Sequence, residues 1–141
     1  MIFDVEKYVI DEGASIRSAL LKVEENHYGM IFVQTNAGKI VGLATDGDIR
    51  RGLLRGVSLD DDISICANLE YVWASVDTPR EQLIKRLDGH IHFIPILDEL
   101  GRLISIISNV PIEKMNEWAS QNNIVYVEGN DVKSFEKNYL R

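Results

Sequence analysis

The feature that most constrains the fold is an internal repeat, in which residues match in type at the offset that separates Thr45 from Ser108, 63 positions. The matched pairs include turns, helix starts and apolar strand positions: Tyr8 with Tyr71, Ser15 with Thr78, Lys22 with Lys85, Ile31 with Ile94, Gly38 with Gly101. Agreement of turns, caps and strands without a gap indicates a tandem duplication. Because each copy is too short to cover its own sheet, we expect the copies to pack sheet against sheet about a pseudo-two-fold axis.

Apolar periodicity predicts the same order of elements, β-α-β-β-α, in both copies. In the first copy we expect strands over 8–10, 29–33 and 39–44 and helices over 15–25 and 49–55. In the second we expect strands over 71–73, 93–97 and 102–107, a helix that starts with Pro79 at its first position, and a helix after Ser108. The sequence therefore predicts an α/β (α+β) fold with one repeat over 1–63, a second over 64–122, and a tail over 123–141. The tail is expected to be a docked helix or the start of a further domain.

Composition excludes several classes of protein. The 141 residues are 45% hydrophobic and 26% charged, which is ordinary for a globular protein. A net charge of −7 argues against general nucleic-acid binding, which depends on neutralising phosphates. No apolar run approaches the roughly 18 residues of a membrane span, and the acidic N-terminus is unlike a signal peptide, so we expect a cytoplasmic protein. The single cysteine, Cys66, rules out an internal disulfide and is expected to be a buried or idle thiol.

The turn that joins the third strand to the second helix carries the candidate binding residues. Thr45 and Asp48 have the spacing of a capping box, in which each side chain accepts a backbone N–H at the helix start. The same carboxylate, which is only an acceptor, would also suit the hydroxyls of a sugar. Arg50, Arg51 and Arg55 place positive charge nearby, where an anion could bind. The residues alone leave both interpretations open.

The repeat, with a third strand that ends in Gly42-x-x-Thr45-x-x-Asp48, resembles a pair of CBS domains, the Bateman module, over about residues 5–120. The longer string over 45–53 is similar to CBS pairs joined to sugar-phosphate isomerases and sugar nucleotidyltransferases. Residues 129–136 faintly resemble the N-terminal segment of sugar aminotransferases of the pyridoxal-phosphate type.

This resemblance implies a site for AMP, ADP or ATP in the first repeat. Asp48 would hold the ribose hydroxyls, Thr45 would lie near the ribose or phosphate, and Arg51 would face the phosphates. Gly42 belongs to the same motif, and Ile10, within 9–11, would form part of the wall that meets the base. In the second repeat Ser108 takes the place of Thr45, but Ser105 and Pro111 stand where Gly42 and Asp48 would be. We therefore expect at most one site of the usual form.

The resemblance implies a regulatory module that senses an adenine nucleotide and controls a fused or partner enzyme of sugar-phosphate or sugar-nucleotide metabolism. The alternative is a CBS pair without a ligand that only assembles the protein, and the amphipathic helices lead us to expect a homodimer. Catalysis by this chain alone is not expected, because no phosphate-binding glycine loop, nucleophile elbow or dinucleotide fingerprint is present. His90 and His92 lack a third ligand for zinc, and Trp73 is expected in the core.

Overall fold

The computed structural model of the protein describes residues 5–87, 91–109, 124–128 and 131–133. The chain divides into two compact units, one within Asp4–Tyr71 and the other within Val72–Arg141. Each unit holds one copy of the repeat and combines a sheet with helices, as the sequence predicts. The repeat boundary at 63/64 and the pseudo-two-fold packing stay predictions. No helix in the described part of the chain is long and apolar enough to cross a membrane.

The first unit has the predicted strand and helix order. Its elements are a 3-10 helix Val5–Lys7, β1 Val9–Asp11, α1 Ile16–Asn26, β2 Met30–Gln34, β3 Ile40–Thr45, α2 Asp46–Leu54 and a 3-10 helix Ile63–Ile65. The sheet order is β1-β2-β3, with β1 parallel and β3 antiparallel to β2. The helix predicted over 49–55 begins earlier, at Asp46, because Thr45 is its cap and the next three residues form its first turn.

Helix α1 shows why the local sequence folds as it does. The Ser15 hydroxyl accepts the Ser18 N–H at 3.1 Å, which satisfies one of the free donors at the helix start. The helix ends at Asn26, and its C-cap, His27, has left-handed backbone angles (φ 60°). Its apolar face joins one core with residues from the sheet and from α2: Ile16, Ala19, Val23, Ile31, Val33, Ala44, Ile49. This core holds α2, and with it the candidate turn, against the sheet.

The described part of the second unit repeats the strand-helix-strand-strand order of the first and extends the sheet by two strands. Its elements are β4 Ala74–Ser75, α3 Arg80–Arg86, β5 Phe93–Leu97, β6 Leu103–Ser108, β7 Ile124–Glu128 and β8 Asp131–Lys133. The sheet order is β4-β5-β6-β7-β8, with β7 parallel to β6 and β8 antiparallel to β7. The expected docked helix is therefore wrong for residues 124–128 and 131–133, which form strands. The helix expected after Ser108 lies outside the described residues.

Three expectations at the start of the second unit are also wrong. Residues 71–73 are not a strand, because pairing with β5 begins only at Ala74. Trp73, outside the paired stretch, is 55% exposed instead of buried in the core. The cap of α3 is Pro79, one position later than predicted, and the Thr78 hydroxyl accepts the Ser75 N–H at 3.0 Å instead of capping the helix.

Candidate functional site

The turn between β3 and α2 is a complete capping box. Thr45 has an extended backbone (φ −92°, ψ 164°), and its Oγ1 accepts the Asp48 N–H at 3.1 Å. In return, Asp48 Oδ2 accepts the Thr45 N–H at 3.0 Å. The capping interpretation is therefore confirmed, and it does not exclude binding, because the reciprocal bonds fix the Asp48 carboxylate at the first turn of α2.

Both acids of this first turn are paired with arginines. Arg51 Nη2 lies 2.8 Å from Asp48 Oδ1, and Arg50 Nη2 lies 2.9 Å from Asp46 Oδ2. The Asp48 side chain is 28% exposed and that of Arg51 is 63% exposed. A Cβ on Gly47 would lie 3.2 Å from Arg51 Nη1, so the glycine leaves room for the guanidinium across the turn. An ion pair this exposed contributes about 0–1 kcal/mol, and a ligand can displace it at small cost.

The start of α2 is better suited to hydroxyl donors than to a lone anion. The Asp46 N–H donates to the Gly29 carbonyl oxygen at 2.9 Å, and the Asp48 N–H is taken by Thr45, so these helix-start donors are already used. Each Asp48 oxygen holds one bond, and a carboxylate offers about four acceptor positions, so about two remain for a ligand. The geometry therefore fits a ligand that offers a pair of hydroxyls.

The sheet places Gly42 and Ile10 in one row, since Ile10 pairs with Val33 and Val33 pairs with Gly42. A Cβ on Gly42 would lie 3.1 Å from the Ala67 Cβ, because residues 67–69 cross the open edge of β3 there. The absence of a side chain at Gly42 thus allows residues 67–69 to approach β3 closely. Ile10 is 7% exposed and belongs to the core, apart from the capping box. The structure brings Gly42, Thr45, Asp48 and Arg51 together on β3 and α2, with Ile10 two strands away.

The corresponding turn in the second unit has different chemistry. Ser108 ends β6 and is fully buried, and Ser105, at the position of Gly42, is buried with no hydrogen-bond partner for its Oγ among the described residues. His92 Nδ1 lies 2.9 Å from Asn109 Oδ1, at the positions that match Gly29 and Asp46. Pro111 and His90 lie outside the described residues. Within the described ranges no group of three His, Cys, Asp or Glu side chains could hold a metal.

Sequence reasoning missed two contacts that shape the first unit. Gly52 of α2 faces Cys66, which is buried as expected, and burial raises the pKa of its thiol. Lys22 of α1 donates from Nζ to the carbonyl oxygens of Glu6 (2.7 Å) and Val9 (2.9 Å). Lys22 matches Lys85 in the repeat, and this match could have indicated that the lysine has a structural role.

Comparison with known proteins identifies a family. The model of the CBS domain matches residues 4–55 and 62–109, more than half of the chain. Arabinose 5-phosphate isomerase KdsD of Pseudomonas aeruginosa is 40% identical over 47 residues, 33% of this chain and 14% of that protein. The chain spans a third or less of the length of the curated relatives it matches.

Two solved structures share the fold. A CBS domain protein from Pyrobaculum aerophilum complexed with AMP has a TM-score of 0.65 at 18% identity, covering 84% of this chain and 95% of that one. The CBS domain pair of protein MJ0100, in complex with 5′-methylthioadenosine and S-adenosyl-L-methionine, has a TM-score of 0.63 at 20% identity, covering 72% of this chain and 80% of that one. At these identities the likeness concerns the fold.

Proposed function

This chain belongs to the CBS domain family, and we propose that it is a regulatory module that binds an adenine nucleotide at the β3–α2 turn of its first repeat. The ligand is AMP, ADP or ATP, bound at no more than one strong site per chain. The second repeat lacks the carboxylate, because Pro111 stands where Asp48 would be. Ser108, which replaces Thr45, is proposed to have only an accessory role.

The proposal is supported by the position and the remaining hydrogen-bonding capacity of the Asp48 carboxylate. It is fixed by the Thr45 N–H, it is partly exposed, and it keeps acceptor positions for two hydroxyls. Neighbouring 2′- and 3′-hydroxyls of a ribose can donate to one carboxylate, and such charge-assisted bonds are about twice as strong as neutral ones. Arg51, which is held on Asp48 by an exposed ion pair, is near enough to turn toward a phosphate.

The ligands of the two related structures support the choice of nucleoside. AMP, 5′-methylthioadenosine and S-adenosyl-L-methionine all contain adenine on a ribose with 2′- and 3′-hydroxyls. Of these, only AMP carries a phosphate. Arg51 therefore favours AMP, ADP or ATP over the uncharged nucleoside in this chain.

The proposed role is control of an enzyme, with no catalysis by this chain. The curated relatives are at least about three times longer than the matched segment, so this module is proposed to act on a fused or partner enzyme. The likeness to the arabinose 5-phosphate isomerase favours an enzyme of sugar-phosphate or sugar-nucleotide metabolism. The module is proposed to act in the cytoplasm.

A second candidate function is assembly of a homodimer without a ligand. It is favoured by the engagement of both Asp48 oxygens inside the chain. It is also favoured by Leu21 of α1 and Leu54 of α2, which are 67% and 81% exposed although large and apolar. A dimer is compatible with both functions, and ligand binding separates them.

A thermal-shift panel of adenine, guanine and cytosine nucleotides tests the proposal. A ligand that binds only the folded protein stabilises it by about 2.7 kcal/mol at a hundred times its Kd, which raises Tm measurably. We expect Tm to rise with the adenine nucleotides and to rise less with the others. If no nucleotide shifts Tm up to millimolar concentrations, the assembly function replaces the sensing function.

A further inference from the structure

A second concave site lies within the first unit, away from the β3–α2 turn. It is a cavity of about 270 Å³ between the open edge of β1 and helix α1. Five of its lining residues are polar or charged, Glu6, Asp11, Ser18, Lys22 and Gln34, and three are apolar, Val9, Ile10 and Ala14. Thr45, Asp48 and Arg51 are not among its lining residues. Of the residues that the family resemblance assigns to the nucleotide, only those of β1, residues 9–11, also line this cavity.

The positive charge in this cavity is already engaged. Lys22 Nζ donates to the Glu6 and Val9 carbonyl oxygens and lies 3.9 Å from the Glu6 carboxylate. Two of its three N–H donors are therefore used to cap the edge of β1. With two carboxylates and one paired ammonium, the lining carries a net charge of −1, which disfavours an anionic ligand.

Several oxygen atoms of the residues that line this cavity can still accept hydrogen bonds. The backbone carbonyl of Asp11 is taken by the Ala14 N–H at 3.1 Å, so this part of the strand edge is satisfied. The side chain of Gln34 donates from Nε2 to Asp11 Oδ1 at 3.0 Å, which leaves Asp11 Oδ2 and the Gln34 amide oxygen without a partner among the described residues. Ser18 and the exposed Glu6 carboxylate add further acceptor positions.

We propose that this cavity binds a small organic cation, a primary amine or guanidinium on a short alkyl stem. The cationic end donates to Asp11 and Gln34, and the stem packs on Val9, Ile10 and Ala14. A metal ion fits poorly, since the described residues contain no group of three His, Cys, Asp or Glu side chains that could ligate one. At about 30 Å³ for each water-sized group, the cavity has room for about nine such groups, the size of agmatine.

The test titrates agmatine into the full chain by calorimetry at low salt, with Asp11→Asn and a matched control, Glu12→Gln. Glu12 is the next residue, is exposed, and loses the same charge, but it does not line the cavity. We expect one saturable agmatine site per chain, weakened about tenfold or more by Asp11→Asn and unchanged by Glu12→Gln. We also expect no binding of 1,4-butanediol or succinate, which lack the cation.

A second variant tests the same site without touching β1. Ser18→Leu, on an exposed position of α1, puts a larger side chain into the cavity and should abolish agmatine binding in a protein that keeps its helix. The proposal is overturned if wild-type protein shows no saturable agmatine binding, if Glu12→Gln weakens binding as much as Asp11→Asn, or if Ser18→Leu still binds agmatine with wild-type affinity. None of these results depends on nucleotide binding at Asp48.

Discussion

Because Gly52 contacts Cys66, we predict that Gly52→Ala destabilises the wild-type protein but stabilises a Cys66→Ala variant. Gly52 lies inside α2, where an exposed Gly→Ala change would stabilise the helix by about 0.5–1 kcal/mol. A Cβ at this position would, however, lie 2.5 Å from Cys66 Sγ, far closer than van der Waals contact. Both residues are buried, so the added methyl cannot be avoided by turning into solvent.

The magnitude follows from these two opposing effects. Overpacking in a filled core costs about 1–3 kcal/mol, so after the helix gain is subtracted Gly52→Ala should lower the free energy of unfolding by up to about 2.5 kcal/mol. In a Cys66→Ala background the sulfur is gone, and the nearest remaining atoms are Cys66 Cβ at 3.8 Å and Val57 Cγ2 at 3.9 Å, which is ordinary contact. There, Gly52→Ala should stabilise by about 0.5–1 kcal/mol.

Urea unfolding followed by far-UV circular dichroism, on the wild type, both single variants and the double variant, measures this coupling. We expect a coupling energy of about 1–3 kcal/mol with the sign reversal described. If Gly52→Ala stabilises the protein equally in both backgrounds, the sulfur does not fill the space beside α2 and the position assigned to this helix is wrong.

Three further predictions concern pH, stoichiometry and assembly. The pKa of Asp62 lies below its ordinary 3.8, chiefly because the carboxylate accepts the Ser64 N–H and also because it accepts the Ser64 side chain and the Gly13 N–H. The contribution of the Asp62 carboxylate to stability is therefore complete above pH 3.8 and is lost as pH falls through the lowered pKa. In Asp62→Asn the unfolding free energy should fall less steeply below that pH, and an unchanged acid profile by urea titration would contradict this. Calorimetry should find at most one strong nucleotide site per chain, and two equal sites would contradict the assignment of the second repeat as degenerate. Light scattering should give twice the chain mass of 16.0 kDa, and a mass near 16.0 kDa at micromolar concentration would refute the homodimer.

The fold was predictable from the sequence because the repeat supplies two independent copies of each signal. Turns, caps and apolar runs that are ambiguous alone agree at one offset, and the first unit follows the prediction with shifts of a few residues. The capping box was predictable for a local reason, since Thr45 and Asp48 are three residues apart and need only the start of a helix.

The predictions that were wrong, and the contacts that were missed, depend on interactions that no local sequence pattern encodes. Trp73 aligns with the buried Ile10, but pairing of β4 with β5 starts only after it, and the indole is left exposed. Thr78 has the character of a cap, yet its hydroxyl bonds back to Ser75. The Gly52–Cys66 contact and the cavity between β1 and α1 join residues distant in sequence, so only the folded chain shows them.

Calorimetric titration of AMP into wild type, Asp48→Asn and Asp46→Asn tests most directly whether Asp48 holds the ribose of an adenine nucleotide. Asp46 is the matched control, because it is an acid of the same helical turn, is paired with Arg50 and loses the same charge. Loss of two charge-assisted hydrogen bonds should weaken AMP binding by about 2–4 kcal/mol, or about 30- to 1000-fold, in Asp48→Asn. Asp46→Asn should change the affinity by no more than about threefold. Wild-type AMP affinity in a folded Asp48→Asn protein would contradict the claim and leave this turn as a helix cap.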